Sequence, residues 1–481
     1  MKRLILIYIE SVWHSLNVDN FSEYSINQNF RRGDVLVTFQ SSDLTRHLAS
    51  QYPSRFPPSI IDLESLDKQM SQEGREFRDY KEWNLISSLK YHNLVESHFK
   101  VRESNIRETL EYMANLFLIL SSKDLIEKER FDSIETPINK TLYERQMRGI
   151  KVDRDKAISR CANLEGYIYS IKNVLQLEYR IFSPQDKKQQ ISYLQSKGFK
   201  IEKSPLHTFN ALKDRDKVCN LFYELIRSAQ DLDSLLFISA HWGGEHRTNP
   251  TFLGFGTITS RIILRQPSLQ NLRKRNRDII VADAGMSLLY PDYSQFEAGI
   301  LASLSDDEEL ITLYNDDIYT DLAEKVFDDK SKRGAAKITF YSYMYGGSFL
   351  NEKAKKYFAK FKNLEVFRSK VIKELLESRK IGTSKGNFRF IHDENESDWA
   401  LSHVVQAHAS LIYKNAVLRV RDELKEVEFL IPMHDATLYQ VRSEYIEEYK
   451  EKIQTIYIQE FKKLCPKIQP KIHFDTFFEG L

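Results

Sequence analysis

Two acidic residues that lie far apart in the chain, Asp292 and Asp435, each accompany a short apolar run of the kind that forms a β-strand. Asp292 comes just after the run Ser287–Tyr290, and Asp435 lies in the turn between two strand-like halves of Phe429–Val441. A single acid at a strand end is most often a cap or a turn residue. Two such acids in contact could instead hold divalent metal ions beside a polyphosphate substrate. A fold that uses both must bring distant segments together.

Composition narrows the classes of protein to which the chain can belong. Its 481 residues are enough for roughly three units of about 150 residues each. A net charge of +2 argues against a uniformly basic, histone-like binder, and 42% hydrophobic residues predict an ordered core. The three cysteines, Cys161, Cys219 and Cys465, are far apart without a CxxC motif, which argues against a disulfide scaffold or a cysteine-based zinc site.

The amino terminus contains no convincing targeting segment. Its apolar run, Leu4–Ile9, ends at Glu10, which makes it too short for a signal peptide and typical of a buried first strand. No apolar run approaches the length of about 18 residues that spans a bilayer. We therefore predict a soluble, cytoplasmic protein without a membrane partner, and its compact length suggests a phage or a mobile element as the source.

The predicted secondary structure changes along the chain. Residues 1–130 combine β-type runs, such as Val35–Phe39, with a helix predicted over Ile106–Leu120 by its spacing of apolar residues. The charged segment Lys123–Asp132 is predicted to be a linker, and residues 134–240 to be mostly helical.

Basic residues are concentrated in two segments. Thr257–Arg277 carries six basic residues and no acidic one, among Thr, Gln and Asn side chains that suit phosphate and base-edge contacts. Asn351–Lys380 carries ten basic and four acidic residues. For this second segment a solvated helix face is an equally good interpretation.

Four residues at steps of four, Arg333, Lys337, Tyr341 and Tyr345, would form a slowly winding stripe on one side of a helix. Arg and Lys one turn apart make a clamp suited to a triphosphate, and the tyrosines could stack on a base. Taken alone, the stripe is better explained by an amphipathic helix with its tyrosines in the core.

Six segments taken together resemble the family A DNA polymerases, which include bacterial DNA polymerase I and the phage replicases. The collinear match covers roughly residues 134–481, and six motifs in the family's order are far more specific than any one of them. The segments are IETPINKTLYERQMRGIKVD (134–153), TITSR with PSLQN (257–261 and 267–271), DYSQFE (292–297), RGAAKITFYSYMYG (333–346), VVQAHASLIYKNAV (404–417) and IPMHDA (431–436).

The resemblance implies an α+β fold, in which a right-hand polymerase of thumb, palm and fingers follows a small α/β exonuclease-like domain. The implied boundaries are 1–132 for the degenerate exonuclease-like domain, 133–481 for the polymerase domain, about 133–255 for the thumb, about 256–308 and 396–481 for the palm, and about 309–395 for the fingers.

The resemblance also implies roles for individual residues. Asp292 and Asp435 would hold two Mg²⁺ ions with help from the carbonyl of Tyr293, while Arg333 and Lys337 would grip the triphosphate. Lys337 would also protonate the pyrophosphate as it leaves, which makes it a catalytic residue beside the two acids.

Further residues are assigned to nucleotide and DNA in the same way. Glu297 corresponds to a steric gate that favours dNTPs over rNTPs, and the hydroxyl of Tyr341 implies weak discrimination against dideoxynucleotides. Gln295 is also assigned to the nucleotide. The residues assigned to DNA are Arg261, Gln270, Asn271, Arg275, Tyr345, Gln406 and His434.

The chain departs from the family's pattern at several positions, none of which is a metal ligand. Activity is therefore predicted, whereas fidelity and processivity stay open. The departures are Ser260, Ala298-Gly299, Tyr319, Ser342, Ser402, Ala436 and Pro291, where a proline before the catalytic acid predicts a bulge or a lost ladder bond.

The front domain lacks acids that a 3′–5′ exonuclease needs. The first motif would end at Glu10 without its usual Asp, Asp43 would match the second, and Leu116 stands where the third needs an Asp. We predict an inactive remnant without proofreading, although an unrelated small α/β domain fits as well. No 5′-nuclease region is recognised.

The sequence thus predicts a template-dependent DNA polymerase that uses a primed template, dNTPs and two Mg²⁺ ions. Three alternatives remain: a single-chain RNA polymerase, against which Glu297 argues; a non-catalytic DNA-binding relative; and a lesion-bypass or gap-filling enzyme. Protein partners are not predictable from the sequence.

Overall fold

The computed structural model describes residues 2–23, 33–39, 41–51, 59–71, 83–199, 201, 204–240, 246–344, 350–391 and 397–478. The strands are β1 (Arg3–Ile9), β2 (Val12–Asn17), β3 (Val35–Thr38), β4 (Ser59–Asp62), β5 (Ile150–Lys151), β6 (Arg247–Thr248), β7 (Thr251–Leu253), β8 (Ile263–Arg265), β9 (Met286–Leu289), β10 (Pro291–Tyr293), β11 (Lys380–Thr383), β12 (Gly386–Phe390), β13 (Glu428–Met433), β14 (Ala436–Arg442) and β15 (Ile472–Phe474).

The α-helices are α1 (Ser42–Gln51), α2 (Leu63–Met70), α3 (Leu85–Tyr91), α4 (Ile106–Ser122), α5 (Leu125–Arg130), α6 (Thr136–Arg148), α7 (Arg154–Leu177), α8 (Lys187–Ser196), α9 (Pro205–Leu212), α10 (Lys217–Ser239), α11 (Phe296–Ser305), α12 (Glu308–Asp316), α13 (Ile318–Phe327), α14 (Arg333–Met344), α15 (Glu352–Ala359), α16 (Lys362–Ser378), α17 (Ala400–Glu423) and α18 (Ile446–Leu464). None of these helices is long and apolar enough to cross a membrane.

The chain divides into two compact units. The first comprises Met1–Arg148, Phe252–Ile263 and Gly285–Asp475, and the second comprises Gly149–Thr251, Leu264–Ala284 and Thr476–Leu481. The domain boundaries implied by the family resemblance stay predictions.

The amino-terminal part of the first unit contains a mixed sheet in the order β2-β1-β3-β4. β1 is antiparallel to β2 and parallel to β3, and β3 is parallel to β4. Side chains alternate across β1, so that Leu4 and Leu6 enter one core cluster and Ile5 enters another. α4 lies where the apolar spacing predicted a helix, with Leu116 buried on its inner face.

The prediction of a linker over Lys123–Asp132 is wrong. Asp124 caps α5 by accepting hydrogen bonds from the amides of Ile126 and Glu127, and a π-helix follows at Phe131–Glu135. The charged side chains of this segment are not all in solvent, since Glu127 is buried and bonded to Gln69.

A second sheet of the first unit has the order β13-β14-β10-β15, with β9 also paired to β14. The two strands predicted over Phe429–Val441 are confirmed as β13 and β14. β10 pairs with β14 at a single position, whereas β9 pairs with it from Tyr439 to Arg442. This interruption confirms the effect predicted for Pro291, which has no amide hydrogen to donate to a ladder.

Helices α11 to α18 also belong to the first unit. The predicted helix that carries Arg333, Lys337 and Tyr341 is confirmed as α14, and the charged segment Asn351–Lys380 forms α15 and α16 before entering β11. α17 is buried along most of its length.

The second unit is mainly helical. Its core is built from α7, α8, α9 and α10, and the rings of Phe209 and Phe222 stack there with centres 4.8 Å apart. Arg273 joins this core to the following loop through ion pairs with Glu224 at 2.7 Å and Asp231 at 2.6 Å. Cys219 is buried in this core.

Candidate active site

The structure brings Asp292 and Asp435 together. Asp292 lies opposite Ala436 where β10 meets β14, and the amide of Tyr293 lies 3.5 Å from the carbonyl oxygen of Asp435. His434 precedes Asp435 in the tight turn between β13 and β14 and has a φ of 60°. Two acids that are distant in sequence are thus neighbours, one on β10 and the other in the turn that leads into β14.

The two carboxylates repel each other. Burial raises the pKa of Asp292 to about 6, and the charges of Asp435 and Asp475 contribute to the rise, whereas Lys337 opposes it. Asp475 was not predicted from the sequence. It follows β15, whose residue His473 lies opposite Asp292.

This pair of acids fits a magnesium site. Carboxylate oxygens are the donors that Mg²⁺ prefers, and the remaining ligands are commonly water and substrate phosphates. A dication would also relieve the repulsion that raises the pKa of Asp292. Within the described parts of the chain, no group of three or more His, Cys, Asp or Glu residues is arranged as a complete protein cage for a metal ion.

Glu297 lies beside these acids on the first turn of α11. Its side chain is only 2% exposed and forms an ion pair with Arg261. Burial raises the pKa of Glu297 to about 7, and Asp435 contributes to this rise, whereas Arg261 and Lys337 oppose it. Lys337 therefore acts electrostatically on both Asp292 and Glu297.

α14 presents its two cations around an aromatic ring that belongs to α13. The guanidinium of Arg333 lies 5.2 Å from the ring centre of Tyr319, and the ammonium of Lys337 lies 5.9 Å from the same centre. Arg333 also forms an ion pair of 2.7 Å with Asp317. Tyr319, which in the sequence is only a departure from the family's pattern, thus lies beside both cations.

Tyr341 lies one turn beyond Lys337 on α14. The ammonium of Lys337 is 6.0 Å from its ring centre, and burial raises the pKa of the Tyr341 hydroxyl, with Glu297 contributing. Tyr345, the last residue of the predicted stripe, lies outside the described residues.

The side chain of Gln295 is engaged within the protein. Its amide oxygen accepts a hydrogen bond of 2.9 Å from the Ile318 amide, and its nitrogen lies 3.4 Å from the Tyr314 carbonyl oxygen. Gln295 itself has a left-handed φ of 51° immediately before α11. These contacts hold the start of α13, and a role for Gln295 toward nucleotide stays a prediction.

The residues predicted to contact DNA divide between the two units. In the first unit, Gln406 is buried on α17, whereas His434 is exposed in its turn. In the second unit, Gln270 accepts a 2.9 Å hydrogen bond from the Leu264 amide, which fixes its side chain. Asn271 donates to Ser268 at 2.7 Å. Arg275 is 45% exposed and 3.5 Å from Glu224.

Sequence reasoning missed a buried cluster of charges next to this site. It consists of Arg130, Glu135, Ser260 and Lys414, and all four side chains are almost inaccessible to solvent. Burial lowers the pKa of Lys414 to about 8, although Glu135 opposes that change. The available signal was Lys414 itself, a lysine that follows Leu411 and Ile412 and precedes Ala416 and Val417 on α17.

The acids predicted from the exonuclease motifs lie in and around the sheet β2-β1-β3-β4, here called the front sheet. Glu10 occupies the turn between β1 and β2 with a φ of 47°, and Asp43 is exposed on α1 in an ion pair of 3.0 Å with Arg46. Leu116, at the position where a third acid was sought, is fully buried in the core.

The sequence model of DNA polymerase family A matches residues 154–474. The chain is 25% identical to DNA polymerase I of Caldicellulosiruptor bescii over 364 residues, which cover 64% of this chain and 42% of that protein. It is also 25% identical to DNA polymerase I of Helicobacter pylori strain 26695, over 67% of this chain and 41% of that protein. The chain thus spans about two fifths of the length of these relatives.

One solved structure has the same overall fold as nearly the whole chain. It is the POL domain of Pol1 from M. smegmatis, in a complex with DNA primer-template and dNTP. The two superpose with a TM-score of 0.75 at 17% identity, covering 98% of this chain and 94% of that one. This similarity establishes a polymerase-domain fold.

Proposed function

The chain belongs to DNA polymerase family A, and on that premise we propose that it extends a DNA primer along a template by adding dNTPs. The observation that carries the proposal is the pairing of β10 with β14, which puts Asp292 beside Asp435. The charge of Lys337 acts on the same place. Oxygen donors and a cation directed at one point suit phosphoryl transfer.

Asp292 and Asp435 would hold two Mg²⁺ ions, and the carbonyl of Tyr293 would assist. Bound there, the ions would supply Lewis-acid activation of the primer hydroxyl and neutralisation of charge on the phosphates. The repulsion between the two acids favours such loading over an empty pair.

Arg333 and Lys337 would bind the triphosphate from α14. The ring of Tyr319 restricts where both cations can lie, which lowers the entropy lost when they bind phosphate. The primer 3′-hydroxyl would lose its proton to solvent and attack the α-phosphorus, and the bond from that phosphorus to the pyrophosphate oxygen would break. Lys337 would give its proton to that oxygen and regain one from solvent.

Glu297 would select the sugar. It is held beside the catalytic acids by Arg261, in a position where a 2′-hydroxyl would meet a buried carboxylate. Rejection of rNTPs would then follow from a clash and from the cost of leaving the carboxylate poorly solvated.

The front sheet would brace the polymerase without removing mismatched primer ends. A hydrolytic two-metal site needs clustered carboxylates. Asp43 is instead exposed in an ion pair with Arg46, and a core leucine occupies the position sought for a third acid.

Primer extension on purified protein tests the proposal. With Mg²⁺, a 5′-labelled primer and four dNTPs, we expect template-directed lengthening of the primer. Without dNTPs, we expect no shortening of either a matched or a mismatched 3′ end. Binding of primed DNA without extension would instead support the non-catalytic alternative, and shortening would contradict the absence of proofreading.

A further inference from the structure

We propose that the buried cluster of Arg130, Glu135, Ser260 and Lys414 positions Arg261 and thereby sets the choice between deoxy- and ribonucleotides. This inference rests on the proposed function, because it assigns positioning residues to the sugar-selecting pair of Arg261 and Glu297. None of the four residues needs to touch the nucleotide.

Lys414 is fully saturated with protein partners. Its ammonium lies 2.5 Å from the carboxylate of Glu135, 2.5 Å from the hydroxyl oxygen of Ser260 and 2.9 Å from the carbonyl oxygen of Gly254. An ammonium has three hydrogens to donate, and all three have an acceptor here. The cation is therefore fixed in place.

Arg130 and Glu135 complete the cluster from the segment that precedes α6. Arg130 donates to the carboxylate of Glu135 at 3.1 Å and to the hydroxyl oxygen of Ser260 at 3.3 Å. That hydroxyl in turn donates to Glu135 at 3.0 Å. Two cations and one anion are therefore joined through one serine, and removal of Glu135 would leave two buried cations without their counter-charge.

The backbone of Ser260 is held as firmly as its side chain. Its φ is 65°, a conformation that residues with a β-carbon rarely adopt without support from their surroundings. Its carbonyl accepts a hydrogen bond of 2.6 Å from Ser410, and its amide donates to the Thr257 carbonyl at 2.9 Å. The cluster thus fixes the backbone from which the next side chain, Arg261, departs.

Arg261 transmits this placement to the sugar-selecting acid. Its own amide donates to the hydroxyl of Thr257 at 3.0 Å, and its guanidinium pairs with Glu297. A shift of residue 260 would move the guanidinium, and Glu297 would lose the cation that holds it. We therefore expect the cluster to affect sugar selection more than the rate of bond formation.

Two variants and a matched control test this. Ser260→Gly removes the hydroxyl but tolerates the positive φ, so the chain should fold, and Lys414→Met removes the ammonium at similar length. Arg419→Met is the control, because Arg419 is a cation on the same helix that pairs with Glu423 and Glu460 instead. Thermal unfolding shows which variants are folded. If Lys414→Met does not fold, the test relies on Ser260→Gly alone.

The readout is equilibrium binding of a dNTP and of the matching rNTP to protein with a primer-template whose 3′ end is a dideoxynucleotide, so that no chemistry occurs. We expect the Kd for the rNTP divided by the Kd for the dNTP to fall about tenfold in Ser260→Gly and Lys414→Met. The same ratio should stay constant in Arg419→Met. In an Arg261→Ala background, Ser260→Gly should have no further effect, because the cluster acts through Arg261.

An unchanged ratio in folded Ser260→Gly, an equal further loss in the Arg261→Ala background, or no nucleotide binding at all would overturn the inference. Failure of the proposed function gives a different result from failure of this inference. In that case, wild-type protein would bind dNTP selectively but would not extend a primer that carries a free 3′-hydroxyl.

Discussion

Asp292 lies directly opposite Ala436 in the antiparallel pairing of β10 with β14, one residue away from Asp435. A slip of one residue in this register would turn one acid to the other face of the sheet. The register is fixed on both sides, since β10 also pairs with β15 over three positions and β14 pairs with β13. The site therefore depends on sheet pairing among segments that are distant in sequence.

Replacing Asp292 by Asn should stabilise the metal-free protein. Burial and neighbouring charge raise the pKa of Asp292 to about 6 in the folded chain, from an ordinary 3.8. Because the folded chain therefore holds this proton more tightly than the unfolded chain, the free energy of unfolding falls as the pH rises from about 4 to about 6, and the loss is complete above pH 6. We expect Asp292→Asn to raise the free energy of unfolding by up to about 3 kcal/mol at pH 7.5. Chemical denaturation with EDTA measures this, and Mg²⁺ should stabilise only the wild type. Equal stabilities of the two proteins, or equal responses to Mg²⁺, would contradict it.

Shortening Glu297 should admit ribonucleotides. We expect Glu297→Ala to raise the rNTP to dNTP ratio of kcat/KM on the order of 10-fold to 100-fold, because the buried carboxylate no longer meets the 2′-hydroxyl. Single-nucleotide incorporation measures the ratio. Glu309→Ala, at an exposed position of α12, serves as the control. A ratio that does not move would mean that another residue selects the sugar.

Tyr341 should make the enzyme sensitive to chain terminators. We expect wild-type protein to accept ddNTPs, and Tyr341→Phe, which removes only the hydroxyl, to discriminate against them at least about tenfold more strongly. Competition between ddNTP and dNTP in primer extension gives this value. Strong rejection by the wild type that Tyr341→Phe leaves unaltered would refute the assignment.

The ring of Tyr319 should matter more than its hydroxyl. The ring lies beside both Arg333 and Lys337, and a cation–π contact is worth roughly 0.5–2 kcal/mol. We expect Tyr319→Leu to raise the KM for dNTP about 3-fold to 10-fold with a smaller effect on kcat. Tyr319→Phe should keep the wild-type KM, and steady-state kinetics on one template tests both. Equal losses in the two variants would assign the effect to the hydroxyl instead.

Local patterns in the sequence were sufficient for many elements of the fold. The apolar run Leu4–Ile9, the apolar spacing around Leu116 and the split segment Phe429–Val441 each predicted the element that the structure contains. Pro291 predicted an interrupted ladder for the same reason, since its effect depends on its own missing amide.

Features that depend on distant partners were not predicted. The charges of Lys123–Asp132 indicated a linker, because nothing local shows that Glu127 is buried against Gln69. The position of Asp475 near Asp292 and the cluster around Lys414 were not predicted for the same reason, since their partners come from other parts of the chain. Within the candidate site, the family's motifs located individual residues, whereas the contacts of Tyr319 emerged only from the structure.

The most direct test of the account is the single-turnover rate of dNTP incorporation by Asp292→Asn and Asp435→Asn, measured across a Mg²⁺ titration with Asp306→Asn, at an exposed acid, as control. We expect each of the first two variants to lose at least about 10³-fold in rate at saturating Mg²⁺, and the control to match the wild type. Incorporation at the wild-type rate by either variant would contradict the claim that these two acids jointly form the catalytic metal site.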